Sequence, residues 1–320
     1  MILLLSFLQV QSAVRAMYNT ENPQVLAARD GVKPSCVVLP SQGSGSTLDF
    51  LLQRFPSVAR STWMARMARS EVIDEFGRPV HSDTPFLQGL RVYYYREVVA
   101  EPEVPFEAQV LYQDAHIVVA DKPHFLPVVP GGRYLQNTVL VRLKKQLDLS
   151  DLSPVHRIDR DTAGVVLFSV QREERGAYQA LFRERTVDKT YEAIAPWNPA
   201  LVFPRTHESR MAESGNFIRM QEVPGAANSF THMQLLEHNQ RWGRYRLSPI
   251  SGKRHQLRVH MASLGIGLKG DGLYPQVEDV PEGDFSRPLM LLAQTLQFKD
   301  PLTGIQHQFA SQRSLGRLPV

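Results

Sequence analysis

The chain has 320 residues, 43% of them hydrophobic, enough for a full-sized catalytic domain and a small accessory one. Its net charge is +4 and its pI about 9.2, a balance that tilts toward an anionic partner such as nucleic acid. The single cysteine, Cys36, excludes an intramolecular disulfide framework and any multi-cysteine metal site, and fits a reducing cytoplasm.

Taken in chain order, Met1 to Val10 is apolar but lacks a basic leader and a small-residue cleavage site, and it is too short to span a membrane. Residues 1–46 are expected to be poorly ordered, with Met17 as the initiator and 1–16 outside the native protein. Leu48, Phe50, Leu51, Leu52 and Phe55 then recur at helical spacing and stop at Pro56. A second helix over Ser61 to Arg69 has Arg60, Arg66 and Arg69 along it. Glu71 to Asp74, a turn at Phe76-Gly77-Arg78, and a strand from Leu90 to Tyr95 complete a small α+β unit over 47–99. A Glu/Pro-rich connector places a linker at 100–107.

The remainder, 108–313, reads as one larger domain. Strands are expected at Gln109–Tyr112, His116–Ala120, Val165–Val170, Thr190–Ala195, Thr231–Glu237, Tyr245–Leu247, Leu289–Phe298 and Gln306–Phe309. Helices are expected at Thr138–Leu147, Glu173–Arg185 and His255–Leu264, the last with Gly265 just beyond its end. Strands outnumber helices and many are hairpin-linked. The fold class is therefore α+β, with a mixed, mostly antiparallel central sheet, flanking helices and a small N-terminal α+β domain.

Three segments carry chemistry. In His156-Arg157-Ile158-Asp159-Arg160-Asp161-Thr162-Ala163-Gly164, five of nine residues are His, Arg or Asp, immediately before an apolar strand. Such charge is costly to bury unless it pairs or meets a ligand. Asp159 lies between two arginines, which favour an ionised carboxylate that can act on a substrate; a structural salt-bridge knot is the competing reading. In the second segment, Ser251 to Met261, a helix would set Arg254 and Arg258 on one face, with Gly252 allowing a phosphate to approach. Taken alone, the segment is better explained as an ordinary amphipathic helix with a solvated basic face. In the third, Asp188 to Ala193, Tyr191 is either core filler or a ring that stacks on a base.

Other signals fail. Asp159-x-Asp161 has no third metal ligand at a telling spacing. The ten histidines show no zinc pattern, and no phosphate-binding loop or dinucleotide fingerprint is present. No metal site is expected.

The segments together resemble one family. Residues 156–164 are similar to the catalytic signature of the RluA-type pseudouridine synthases, usually His-Arg-Leu-Asp-Arg-x-Thr-Ser-Gly. The likeness continues at Val118 to Pro123, Lys189 to Ala193, Ser251 to Gly272 and Leu292 to Gly304, in the family's order, covering about 108–313. Residues 47–99 look similar to the small RNA-binding module such synthases share with a ribosomal small-subunit protein, although the usual Val-x-Val-Asn-Gly turn is here Val72 to Gly77. Ala163 replaces a usual Ser, Arg254 a usual Thr, and Gly267-Leu268-Lys269 stands where His-Pro-Leu is common.

The resemblance implies an isomerase that turns a specific uridine of structured ribosomal or transfer RNA into pseudouridine. Asp159 would be the catalytic aspartate, Tyr191 would pack on the target uracil, and Arg258 would pair with Asp159. Arg157 would help open the RNA stack. His156, Arg160, Lys253, Arg254, His255 and Lys122 are expected to contact RNA, as are Arg60, Arg66 and Arg69 in the small unit; Arg160 and Asp161 also serve as scaffold. Isomerisation gains and loses nothing, so no cofactor is expected. Neither is a membrane partner, and the chain is expected to act as a cytoplasmic monomer. The alternatives are a non-catalytic RNA-binding protein that keeps the synthase fold, and a carboxylate-based nucleoside or glycoside hydrolase. The hydrolase would need a second acid, and only Asp161 is near.

Overall fold

A computed structural model describes residues 27–98, 100–216, 218–281 and 283–320, which divide into two compact units, the first ending at Val99 and the second starting at Ala100. The apolar start and Met17 lie outside the described residues. Among the described residues, no helix is long and apolar enough to cross a membrane.

In the first unit, α1 (Thr47–Arg54) starts where Ser46 and Asp49 bond reciprocally, side chain to backbone, in a capping box. Helix α2 (Arg60–Ala68) follows. The strands β1 (Ser35–Val38), β2 (Val72–Asp74) and β3 (Arg91–Tyr94) form an antiparallel sheet in the order β1-β3-β2. Leu48, Leu51, Trp63, Met67, Val72 and Val92 close the core, with the Trp63 and Tyr94 rings edge to face at 5.0 Å. Strand β1 falls inside the stretch expected to be poorly ordered. Its alternation of half-buried and exposed residues, with a short polar lead, hides it from a pattern reading.

In the second unit, eleven strands make one sheet. They are β4 (Gln109–Gln113), β5 (Ile117–Lys122), β6 (Ser153–Pro154), β7 (Ala163–Ser169), β8 (Asp188–Pro196), β9 (Arg205–Glu213), β10 (Met220–Val223), β11 (Ser229–His238), β12 (Trp242–Pro249), β13 (Leu291–Lys299) and β14 (Gln306–Ala310). The order is β10-β9-β11-β12-β8-β13-β7-β5-β4, with β14 on β13 and β6 on β7. Three helices pack on it: α3 (Val139–Leu147), α4 (Arg175–Arg183) and α5 (Gln256–Ser263). The strand period of two sorts β5 and β7 onto both faces. Val118, Ala120, Val166 and Phe168 meet Val139 and Leu143 of α3, while Ile117, Val119, Val165 and Leu167 meet Tyr178 of α4. Strand β7 is buried along its whole length, which accounts for its near-continuous apolar sequence. On the other half of the sheet, Leu257 and Met261 of α5 pack with Ala193, Met233, Tyr245 and Leu247.

Residues 100–107 are tied into this unit rather than forming a free connector. The Glu101 carboxylate accepts the backbone N–H groups of Leu135, Gln136 and Asn137 at 2.8, 2.9 and 2.6 Å, and Val104 is buried in the core. The sequence reading also lacks β9 and β10. Strand β9, Arg-Thr-His-Glu-Ser-Arg-Met-Ala-Glu, has one buried residue in nine, so the apolar signal that marks a strand is nearly absent.

One joint positions everything that follows. Strands β7 and β13 pair in parallel, at Leu292 with Ala163 and Ala293 with Gly164, whereas the other strand pairings of this sheet are antiparallel. Gly164 has φ +113, and a Cβ placed on it would lie 2.2 Å from the Ala293 carbonyl oxygen. Only glycine lets the two backbones approach there. Gly164→Ala should therefore cost about 2–4 kcal/mol of stability, read as a lower denaturant midpoint with an unchanged slope. A variant as stable as the parent would contradict this account of the joint.

Candidate active site

The loop from His156 to Thr162 leads into β7 and is pinned from below. Lys122, at the end of β5, is fully buried and donates to the carbonyls of Pro123, Leu126 and Arg160, each at 2.8 Å. Burial pushes its amine down to about 7, while three carbonyl acceptors call for the three N–H groups that only the ammonium carries. Lys122 is thus a staple inside the protein and is not available to RNA, contrary to the sequence expectation. His124 bonds the Asp161 carbonyl at 2.7 Å, and Arg160 pairs with the Asp161 carboxylate at 2.8 Å. The Asp159 carbonyl accepts the Thr162 N–H at 3.2 Å, closing the turn. His156 takes the Leu167 N–H on Nε2 at 3.1 Å, and its ring stacks on Phe182 at 4.4 Å. Burial pushes the imidazole down to about 3, so His156 is a neutral wall of the site rather than a cation.

So held, Asp159 presents its carboxylate to α5. Arg258 Nη1 donates to Asp159 Oδ2 at 3.1 Å. The rest of that guanidinium is engaged by Asp271, which accepts from Nε at 2.8 Å and Nη2 at 2.6 Å. Asp271 also accepts the backbone N–H groups of Leu273 and Tyr274, so its position is set by the chain. Arg258 is 2% exposed and Asp159 25%. Burial opposes the charge on Arg258, but the two carboxylates outweigh it and raise its pKa.

The second oxygen, Asp159 Oδ1, faces His255 Nε2 at 3.8 Å. His255 precedes α5 in the left-handed region, φ +55, and its Nδ1 lies 2.9 Å from the Tyr274 hydroxyl. That hydroxyl already accepts the Met220 N–H, which favours its own proton going to Nδ1 and a proton on Nε2, toward Asp159. Burial lowers the His255 pKa despite Asp159, so the imidazole stays neutral near pH 7.

Tyr191 reaches the same place through strand register. It sits opposite Ala293 of β13, and Ala293 sits opposite Gly164 of β7, five residues beyond Asp159. Its ring lines the cleft beside Asp159; burial first, and the Asp159 charge second, raise its hydroxyl pKa, so it stays protonated. The cleft encloses about 820 Å³, a size that suits a nucleotide. Arg157, Arg160, Arg183, Lys189, Lys253 and Arg254 line it against one carboxylate, Asp159. Arg157 is exposed, and no carboxylate pairs with it among the described residues.

Of the residues read from sequence, Asp159, Tyr191, Arg258, Arg157, His156, Arg160, Lys253, Arg254 and His255 meet in this cleft. Arg60, Arg66 and Arg69 belong to the first unit. Arg66 is buried, 3.6 Å from Glu97 and against the Trp63 ring, so it is a core cation and not an RNA contact. Arg60 and Arg69 are exposed beside Asp49 and Glu71 respectively. Sequence reasoning missed Asp271 as the anchor of Arg258, and Lys189, Arg183 and Tyr134 as cleft lining. The Gly270-Asp271 pair was the signal for the first and the place of Lys189 beside Tyr191 the signal for the second; Arg183 and Tyr134 have no spacing that marks them.

Residues 116–263 match the family model described as RNA pseudouridylate synthase. Over 235 residues the chain is 32% identical to an uncharacterised RNA pseudouridine synthase of Synechocystis sp., covering 71% of this chain and 78% of that one. It is 29% identical over 223 residues to the ribosomal large subunit pseudouridine synthase D of Yersinia pestis, covering 66% of this chain and 68% of the relative. Among solved structures it is similar to human RNA pseudouridylate synthase domain containing 4, at 28% identity and a TM-score of 0.50, over 66% of this chain and 88% of that one.

The buried fork between Asp271 and Arg258 has a direct test. Asp271→Ala leaves Arg258 with one partner and should cost about 3–5 kcal/mol in denaturant unfolding. A loss below about 1 kcal/mol would contradict the anchoring role.

Proposed function

The chain belongs to the RNA pseudouridylate synthase family, and we propose that Asp159 is the carboxylate with which it isomerises a uridine of structured ribosomal or transfer RNA. The observation that carries this reading is the 3.1 Å contact of Arg258 with Asp159, in a cation-lined cleft shared with Tyr191. The name of the Yersinia pestis relative supports a ribosomal target.

The reaction breaks the bond from ribose C1′ to uracil N1, turns the base and joins C1′ to C5. The C5 proton leaves and N1 takes one up, so atoms and electrons balance without a second substrate. An anionic carboxylate suits a sugar that gains oxocarbenium character as the bond breaks, as in glycosidases. Arg258 spends two of its three hydrogen bonds here on Asp271 and gives one to Asp159. Asp159 is therefore oriented without being fully neutralised. Neutral His255 on the other side adds no competing charge.

The uridine must leave its stack, at a cost of a few kcal/mol. Arg157, exposed and without an acidic partner, is placed in this reading to fill the vacated stack. Tyr191 supplies an aromatic face for the uracil, and the lining cations hold the phosphates. The first unit acts in this proposal as a small RNA-binding module, with Arg60 and Arg69 among its exposed cations.

Asp159→Asn keeps size and a hydrogen-bond acceptor while removing the charge. Single-turnover pseudouridine formation on ribosomal and transfer RNA transcripts should fall by roughly 10³-fold or more, with RNA affinity changed by no more than about threefold. Turnover retained in that variant would overturn the assignment.

A further inference from the structure

Outside the cleft, three side chains from distant parts of the sequence converge: His207 on β9, Glu222 on β10 and His260 on α5. One ring nitrogen of each histidine and a carboxylate oxygen all lie within 4.8 Å of one another. His207 Nε2 and Glu222 Oε1 are 2.8 Å apart, and the two imidazole rings meet edge to face at 4.6 Å. The geometry points to a divalent-cation site of borderline softness, for which Zn²⁺ is the fitting ion, with His207, Glu222 and His260 as its ligands.

Four features make this more than a chance cluster. The first is the donor set: two imidazoles and one carboxylate are a zinc triad that leaves a fourth position open. Second, His260 is fully buried, and its Nδ1 has no hydrogen-bond partner. Nε2 has two, the Ser209 and Ser229 hydroxyls at 3.1 and 3.0 Å. A proton on Nε2 is satisfied by a hydroxyl, and Nδ1 is then left with a bare lone pair inside the protein. This is the arrangement of a ligand whose other nitrogen is oriented by surrounding groups. Third, the Ser263 hydroxyl lies 3.3 Å from His207 Nε2 and 3.1 Å from Glu222 Oε1, where a fourth oxygen ligand or its water would sit. Fourth, His207 and Glu222 remain partly accessible, at 14% and 26% side-chain exposure, so an ion has a way in.

The movement required is small. Tetrahedral zinc with ligands near 2.0–2.1 Å sets ligand atoms about 3.4 Å apart. The His207–Glu222 contact would open from 2.8 Å, and the remaining separations would close from at most 4.8 Å. For the ion to enter, the His207 nitrogen that faces Glu222 must present its lone pair, with the ring proton carried on the other nitrogen. The three residues are scattered too widely for a zinc spacing to be read from sequence, and the other grounds for expecting no metal, the arginines flanking Asp159 and a reaction that needs none, do not bear on them.

The ion would tie α5 to the edge strands β9 and β10. Since α5 also carries Arg258, two residues before His260, the site would hold the helix that faces Asp159 without touching the reaction.

The test uses the untagged full-length protein, stripped with chelator and titrated with Zn²⁺ by calorimetry, with Co²⁺ absorption as a second probe. Expected are one ion per chain, the visible bands of tetrahedral Co²⁺, and a melting temperature several degrees higher that chelator reverses. His207→Asn and Glu222→Gln should each weaken binding at least about tenfold. These two partly exposed positions are chosen because replacing buried His260 could unfold the protein. Absence of stoichiometric binding in the parent, or binding unchanged in the His207→Asn, Glu222→Gln double variant, would overturn the site. None of these readouts depends on pseudouridine formation.

Discussion

The guanidinium of Arg258 is the constraint on which the cleft depends. It is buried to 2% exposure and bridges two carboxylates of unequal freedom. Asp271 is fully buried at its side chain and takes two of its hydrogen bonds, while Asp159 is a quarter exposed and takes one. Burying a guanidinium with no partner would cost several kcal/mol, and Asp271 offsets that cost whether or not Asp159 is in place. The trio carries one positive and two negative charges. The surplus negative charge falls on the partly exposed member, Asp159, which opens onto the cleft.

Two further devices bring the partner groups within reach. The parallel joint of β7 with β13, possible because Gly164 has no Cβ, aligns Tyr191, Ala293 and Gly164 across three strands. Below the loop, Lys122 fastens the Arg160 carbonyl next to Asp159. The dense charge of residues 156–164 thereby sorts into separate duties. Asp159 faces the cleft, Arg160 and Asp161 bond each other, and Arg157 is left without an acidic partner at the cleft.

Much of this was legible in the sequence for identifiable reasons. Strands such as β5 and β7 are buried on both faces and announce themselves as apolar runs. Asp159, Tyr191 and Arg258 lie in segments whose residue types are unusual for their positions. Other features were hidden because the physical cause is long-range. Lys122 reads as a surface cation until the fold buries it under three carbonyls. Arg66 sits in a helix face that looks basic, yet it packs on Trp63. Strands β9 and β10 lie at the sheet edge with few apolar residues, so the residues that they bring to α5, His207 and Glu222, were invisible as a group.

The central claim is that this cleft isomerises a particular uridine through Asp159. Its most direct test maps pseudouridine across cellular RNA with the gene present, deleted, and restored as the parent or the Asp159→Asn form. The account predicts that one or a few positions in ribosomal or transfer RNA revert to uridine on deletion and that only the parent form restores them. An unchanged map on deletion, or restoration by the Asp159→Asn form, would contradict it.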